Sequence, residues 1–545
     1  MRKTAAVISL AALLIGGCGA PDTATETGTT LPETAPGPDI LASGANIAGA
    51  NGMHFGPDGN LYVASVVGSS LSLIDPDSGK ISKQFTAAEG VFGPDDVAFA
   101  PDGSFYWTSI LTGEVAGFDP SGNRIVAAQL GPGANPITFS PEGRLFVSQC
   151  FLGTNLYELD PLGKTPPRLI SDLLGPGCGL NGMDWGPDNR LYGPRWFTGE
   201  VVSFNVDDNT MRVEATGLRT PAAVKFDGEG RLHVLDTATG EVIRLQGNDK
   251  ITLATLEPGL DNFTFDDKGR IFVSSFTDGF VKRVNTDGSI TTLQPGGMSH
   301  AGGVVVFDGN VVVADLSAIR GYAPATGQET LVQRNILGVS EMGGAMNVAV
   351  DGNHLILTSW FDGDVRIWDP AGQKRIKQYP GLSGPVAAVR YAGKIVVAEH
   401  GKSRVVALDD DGQETTLAAG LPAPTGLVVE QGDLYVSDRS LGQILMIASN
   451  GKPLETPFVV VSGLDSPEGF VMTKQGFVVV EAETGRVVAA NSEGVQRELA
   501  RIPPGSPAPG PGYPPSQVFN GIAQGPDGTL YIPGETNRVL YQINP

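Results

Sequence analysis

The phrase GPDGNLYVAS at residues 56–65 returns as GPDGTLYIPG at residues 525–534, near the other end of the chain. In each, a Pro-Asp-Gly turn leads into an alternating apolar run. Pro presets the first turn position, and Gly accepts the positive φ needed to rejoin the next strand. The turn glycine or its equivalent, Asn189, recurs at 59, 103, 143, 189, 230, 269, 309, 352, 393, 432, 476 and 528, at intervals of 39 to 52 residues. Periods of that size mark blades or solenoid turns. Each hairpin is followed by a third strand ending in its own turn, such as EVAGFDPSGN at 114–123, and then by a fourth. Four short antiparallel strands per unit make a propeller blade. Alternation at period two and the lack of long helix-period segments exclude a helical solenoid.

The expected fold is all-β: two six-bladed β-propellers in tandem, twelve four-stranded blades in all, over residues 39–298 and 299–545. A single twelve-bladed ring is the rival arrangement, and it would leave a wide, poorly packed hole. The last unit supplies only three strands. PDILASG at 38–44 is expected to complete blade six, and SITTLQPGG at 289–297 to cross over and complete blade twelve, so that no sheet edge stays open.

The chain has 545 residues, with 59 acidic against 37 basic side chains and a net charge of −22. Such a surface repels phosphate backbones and excludes nucleic acid as a partner, leaving divalent cations and neutral or cationic ligands. Residues 1–18, MRKTAAVISLAALLIGGC, have a basic start, a short apolar stretch and small residues before Cys18, the pattern of an export signal. Residues 19–38 are nearly free of large apolar side chains and read as a flexible tether. Setting Cys18 aside leaves Cys150 and Cys178, expected as one disulfide or as two buried thiols.

In a propeller the innermost strands converge on the axis, so the residue entering each one lines the channel mouth. Counting eight back from each turn position gives Asn51, Asp95, Asn135, Asn181, Ala222 and Asp261 in the first ring. Five of these carry side-chain oxygen, the donor type that calcium takes; the same residues also serve as ordinary turn caps. The second ring offers Thr425, Glu468 and Asn520 at its entries, with Asn347 further in. Asp315, Glu399, His400, Asp438, Glu481 and Glu535 stand at the ends of its second strands. Asp261, Glu468 and His400 are the candidate acid–base residues, and Asn51, Asp95, Asn135, Asn181, Asp261, Glu468 and Asn520 the candidate metal ligands. Trp196 and Trp360, in the matching loops RWFTG and SWFDG, are candidates for stacking on a ligand or for blade packing. The signals of serine hydrolases, P-loops, zincins and dinucleotide folds are absent.

With its PDGNLYVAS-like hairpins and X-Gly blade entries, the chain resembles the senescence-marker-protein/gluconolactonase superfamily and the related NHL-type propellers. That resemblance implies one divalent cation at a channel mouth, calcium first, and hydrolysis of lactones or phosphoesters. Asn51-Gly52, Asn181-Gly182, Asn520-Gly521 and Glu468-Gly469 match the family's entries. Asp95 and Asp261 are followed by Asp96 and Asn262 where the family has Asp-Gly. RWFTGE at 195–200 and SWFDGD at 359–364 echo the streptogramin-lyase branch. Ile15-Gly16-Gly17-Cys18 resembles the bacterial lipobox, implying lipid attachment at Cys18 and a place on the outer membrane facing the periplasm, or on the cell surface where there is no outer membrane. The alternative to a metal-dependent hydrolase is a noncatalytic lipoprotein that holds a small molecule or an envelope protein on a propeller rim.

Overall fold

The structure, a computed structural model, describes residues 37–174, 178–247, 249–506, 513–516 and 518–544. The export signal, Cys18 and the tether up to residue 36 lie outside the described residues. Residues 36–545 form one compact unit.

Twelve four-stranded antiparallel sheets are formed, one per predicted unit, and none closes on itself. The innermost strand of each packs on the innermost strand of the next. Met53–Phe55 of blade one lies against both Pro94–Phe99 of blade two and Leu260–Phe265 of blade six, which closes the first ring. Val304–Phe307 of blade seven lies against Asn347–Asp351 and against Ala523–Gln524 of blade twelve, which closes the second. The chain is therefore two six-bladed propellers. The turn chemistry follows the sequence: Gly59, Gly103, Gly143 and Gly528 have φ between 79° and 94°, and Asn189, standing in for glycine, has φ 61°. The cores are sandwiched between neighbouring blades; Trp107, Val97 and Val91 of blade two, for instance, pack on Leu71 and Ala64 of blade one.

The closing strands differ from the expected exchange. Strand β1 (Asp39–Ser43) pairs with β48 (Val539–Ile543), so the N-terminal strand completes blade twelve rather than blade six. Ile290–Gln294 stays in its own sheet as the fourth strand of blade six. The reason is local. The turn Thr286–Ser289 carries the chain straight back from the third strand of blade six, so Ile290–Gln294 pairs within its own hairpin and the fourth place in blade twelve is filled by Asp39–Ser43.

The first ring thus closes without a strand shared between its first and last blades; Ala50 N donates to the Ser275 carbonyl at 3.1 Å and side chains do the rest. Met53, Leu61 and Ile74 of blade one pack on Phe272, Val281 and Leu293 of blade six. Asp77 holds Arg270 at 2.5 Å, Arg283 reaches the Pro76 carbonyl at 2.8 Å, and the Gln294 amide donates to the Gly79 carbonyl.

After β1 the chain runs directly into blade one and becomes a second connection between the rings, beside the 295–303 linker. Gly44 donates to the Arg538 carbonyl at 2.7 Å, and Ala45 to the Met298 carbonyl at 2.8 Å. A methyl group at Gly44 would collide with both acceptors, which is why the smallest residue stands there.

A chain starting at residue 44 leaves the edge of β48 unpaired. It is expected to lose roughly 2–4 kcal/mol of stability, a few ladder bonds at about 0.5–1.5 kcal/mol each, and to self-associate through that edge. Thermal melting and light scattering test this; an unchanged melting temperature would refute the closing role of β1.

Candidate functional site

The first-ring entries converge as their register predicts. Asn51, Asp95, Asn135, Asn181 and Asp261 line the floor of one chamber of about 350 Å³. Its walls are Ile110, Phe151, Trp196, Leu260 and Phe276. Its roof comes from the second ring: Leu316, Ile336, Leu337 and Phe361 overhang the mouth. Trp196 Nε1 donates to the Leu337 carbonyl at 3.0 Å, fastening wall to roof, and its ring meets Phe151 edge-on at 5.6 Å. Leu337 and Phe361 are about half exposed, which places the entrance between them. Cys150 and Cys178 form a disulfide across a 28-residue separation. Phe151 follows the first cysteine directly, and Asn181 follows the second by three residues. The bridge thus braces one side of the chamber, contributing about 3 kcal/mol by loop closure.

The floor is an electrostatic problem that the fold leaves open. Burial raises the Asp95 carboxyl well above the usual carboxylate range, and the neighbouring Asp261 and Asp96 carboxylates add to the effect. Asp261, partly accessible from the chamber, is pushed up to about 7 by burial and by Asp96, against a hydrogen bond from Asn51. Carboxyls raised in this way at the floor of a chamber are the kind of group that serves as an acid or a base near neutral pH. Asn51 is committed at both ends, since its Oδ1 also accepts from Val66 N at 3.0 Å. Among the described residues, the side-chain amides of Asn135 and Asn181 meet no protein partner and face the chamber.

One residue deeper, Asp96 accepts from Val97 N at 2.9 Å and from Ile137 N at 3.3 Å, and faces Asn262 Nδ2 at 3.5 Å. A side chain at Gly52 would strike this carboxylate, so the Asn51-Gly52 entry is what admits Asp96 to the axis. Sequence reasoning passed over Asp96 and Asn262 as binding groups, although continuing the entry count by one residue reaches both. It had no means of finding the roof, which depends on how the rings meet.

The second-ring candidates sit elsewhere, and that ring's acids, Thr425 and the Asn side chains are satisfied by the protein itself, whereas His400 keeps Nδ1 unpaired. Glu468 pairs with Arg439 and accepts from Ser516 Oγ at 2.7 Å, Asn520 N at 2.8 Å and Asn520 Nδ2 at 2.7 Å. It ties Ser516 and Asn520 together at the mouth. Thr425 bonds the Pro467 carbonyl at 3.0 Å, and Asn347 the Val386 carbonyl at 3.1 Å. The strand-end acids share one structural role, accepting backbone amides from the preceding inter-blade connection: Asp315 from Ser299 at 2.8 Å, Glu399 from Ser383 at 2.8 Å, Asp438 from Ala423 at 3.1 Å and Glu481 from Asp465 at 2.9 Å. His400 packs on Trp360 at 5.6 Å, and burial holds its imidazole below the ordinary range. Asp261 is therefore separated from Glu468 and His400, and of the two tryptophans only Trp196 lines the chamber. The second ring's own channel, about 400 Å³, is lined by Val305, Ala349, Val428 and Val471 and carries no acid among its described lining residues. Among the described residues no three His, Cys, Asp or Glu side chains cluster as a metal site, and no helix is long and apolar enough to cross a membrane.

No protein-family model matches the chain, and no curated protein does. Among solved structures, a streptogramin B lyase aligns over 51% of this chain and 93% of its own, at 15% identity and a TM-score of 0.39. The virginiamycin B lyase of Staphylococcus aureus aligns over 51% and 93%, at 12% identity and 0.36. The extracellular domain of a hybrid two-component system from B. thetaiotaomicron aligns over 93% and 82%, at 11% identity and 0.31. At such scores the fold assignment rests on the strand pairing of the chain itself.

The raised Asp261 carboxyl sets a sign for pH dependence. The folded chain keeps this proton up to about pH 7, whereas the unfolded carboxyl releases it near about 4. Stability from this group is full below about pH 4, falls as pH rises to about 7 and is gone above that, a span of roughly 2–4 kcal/mol. Asp261→Asn is expected to flatten this slope and to melt higher than the parent at pH 8. Parallel melting curves from pH 4 to 8 would refute the assignment.

Proposed function

We propose that the chain is a lactonase-type hydrolase that takes a small, largely apolar ester or lactone into the first-ring chamber. The observation that carries this reading is a pair of carboxylates with raised proton affinity, Asp95 and Asp261, on the floor of an apolar chamber beside the unengaged amides of Asn135 and Asn181. The donor set fits a hard divalent cation. Two carboxylates and two side-chain amides line one floor, and a cation there would offset the burial and the neighbouring carboxylate charge that raise both carboxyls. Asp95, Asp261, Asn135 and Asn181 would hold it; Asn51 would instead orient Asp261, because its oxygen is already used. When bound, such an ion supplies Lewis-acid polarisation of a carbonyl and of a water.

The residues of the chain do the rest. Phe151, Trp196 and Phe276 seat the apolar part of the substrate and exclude bulk water, while the roof residues Leu337 and Phe361 limit its size. Asp261 takes a proton from the attacking water and returns it to the leaving oxygen. Asn135 and Asn181 fix the carbonyl by side-chain amide contacts. Export and lipid attachment at Cys18, supported by the sequence pattern alone, would place this chemistry in the envelope. The predominance of apolar side chains around the chamber supports a second reading, a noncatalytic binding protein that uses the same pocket.

Calcium titration into chelator-treated full-length protein, read by melting temperature, with turnover of a panel of lactones and aryl esters, separates the two. The hydrolase is expected to melt higher with calcium. Asp261→Asn is expected to lose at least about a hundredfold in kcat with KM little changed. Ligand binding without turnover, with or without calcium, would leave only the binding reading standing.

A further inference from the structure

The first-ring chamber holds acids and no base. Asp95 and Asp261 stand on its floor and Asp362 on its roof, yet among the described residues no Lys, Arg or His lines it. Arg366 meets Asp362 at 3.1 Å but also serves Asp364 at 2.7 Å, so the roof carries no surplus positive charge. The charges that act on Asp95 are those of Asp261 and Asp96, and the charge that acts on Asp261 is that of Asp96. One residue deeper, Lys225 offsets Asp96 and Asp184 adds a further acid, so no surplus arises there either. Asp95 is only 6% exposed, and its carboxyl meets no hydrogen-bond partner among the described residues. A buried acid without a countercharge is costly, and one that faces an open space is completed by a cation from outside.

The walls say which cation uses the whole space. Phe151, Trp196, Phe276 and Phe361 set four aromatic rings around it. The face of an aromatic ring attracts a cation within about 6 Å of its centre, and organic ammonium ions are the group that such enclosures take. Two of the lining residues are held at a backbone cost. Phe151 has φ 60° and the roof residue Leu316 has φ 42°, a left-handed region that bulky side chains avoid. Such outliers gather at ligand sites, where the surroundings hold them in place. Asn135 and Asn181 face the same space and can turn their amide oxygens toward a positive charge. The net charge of −22 draws cations toward the mouth from solution.

We propose that the first-ring chamber binds a small organic monocation, an alkyl- or arylalkylammonium ion, its charge set against Asp95 and Asp261 and its apolar substituents against Phe151, Trp196 and Phe361. This goes beyond the hydrolase reading, because it requires binding and no turnover. A divalent ion on the floor and the ammonium group would compete for the same two carboxylates.

Isothermal titration calorimetry of chelator-treated full-length protein with benzyltrimethylammonium chloride, at neutral pH and constant ionic strength, tests this. One saturable site is expected, with a Kd of about 100 μM or tighter. Benzyl alcohol, which offers the same ring without the charge, is expected to bind at least about tenfold more weakly. Asp95→Asn keeps the shape of the side chain and removes its charge, and is expected to weaken binding of the cation by at least about tenfold. Phe361→Leu, at a ring 56% exposed, is expected to weaken it by at least about threefold. No saturable heat up to about 10 mM of the cation, equal affinity for benzyl alcohol, or full affinity in Asp95→Asn would overturn the proposal. No ester is turned over in this measurement, so its failure and that of the hydrolase reading are told apart.

Discussion

The architecture depends on the pairing of β1 with β48. Blade twelve takes three strands from its own stretch of chain, Ala523–Gln524, Leu530–Gly534 and Val539–Ile543, and its fourth is Asp39–Ser43. That pairing removes an exposed edge. It also obliges the chain to cross between the rings twice, once through Gly44–Ala45 and once through the 295–303 linker. Two crossings oppose rotation of one ring against the other far better than one. The second ring can therefore supply a roof to the first, with Trp196 bonded to the Leu337 carbonyl across the joint. The first-ring chamber lies at that joint.

The two rings use one scaffold for opposite ends. In the second ring the acids at strand ends are spent on backbone amides, and Glu468 is spent on Arg439, Ser516 and Asn520. In the first ring the corresponding strand ends are mostly Ser or Gln, which donate to the connection's carbonyl instead. Ser65 bonds Ala48 at 2.6 Å, Ser109 bonds Phe92 at 2.6 Å and Gln149 bonds Pro132 at 3.0 Å. With neutral staples holding the connections, the acids of the first ring stay free at the entries, where they face one another. The acidic character of the second ring is thus structural, while the smaller acidic set of the first remains chemically available.

The repeat itself was fully legible, because turn chemistry is local: Pro-Asp-Gly, or Asn189 in its place, dictates a hairpin whatever surrounds it. The convergence of Asn51, Asp95, Asn135, Asn181 and Asp261 followed from counting along equivalent strands, since equal register in a closed ring means equal depth. What could not be read was anything decided by competition between partners. Glu468 looks as available as Asp261 in a linear sequence; only folding brings Arg439 and Asn520 onto it. The exchange of closing strands was mispredicted for the same reason. β1 and Ile290–Gln294 are both plausible fourth strands, and a short turn decides the outcome by keeping the second in its own hairpin. Roofing of the chamber is legible in neither ring, because it belongs to their docking.

The borrowed strand also constrains the order of folding. Arg538 bonds the carbonyl of Ala45 across 493 positions of chain, so closure of the last blade cannot occur until the chain has been made through Ile543. Bringing such distant segments together is slow compared with forming hairpins. Until then β1 waits unpaired while the intervening blades assemble one by one. The two ends of the domain then act as a latch, the first strand to emerge being among the last to find its place.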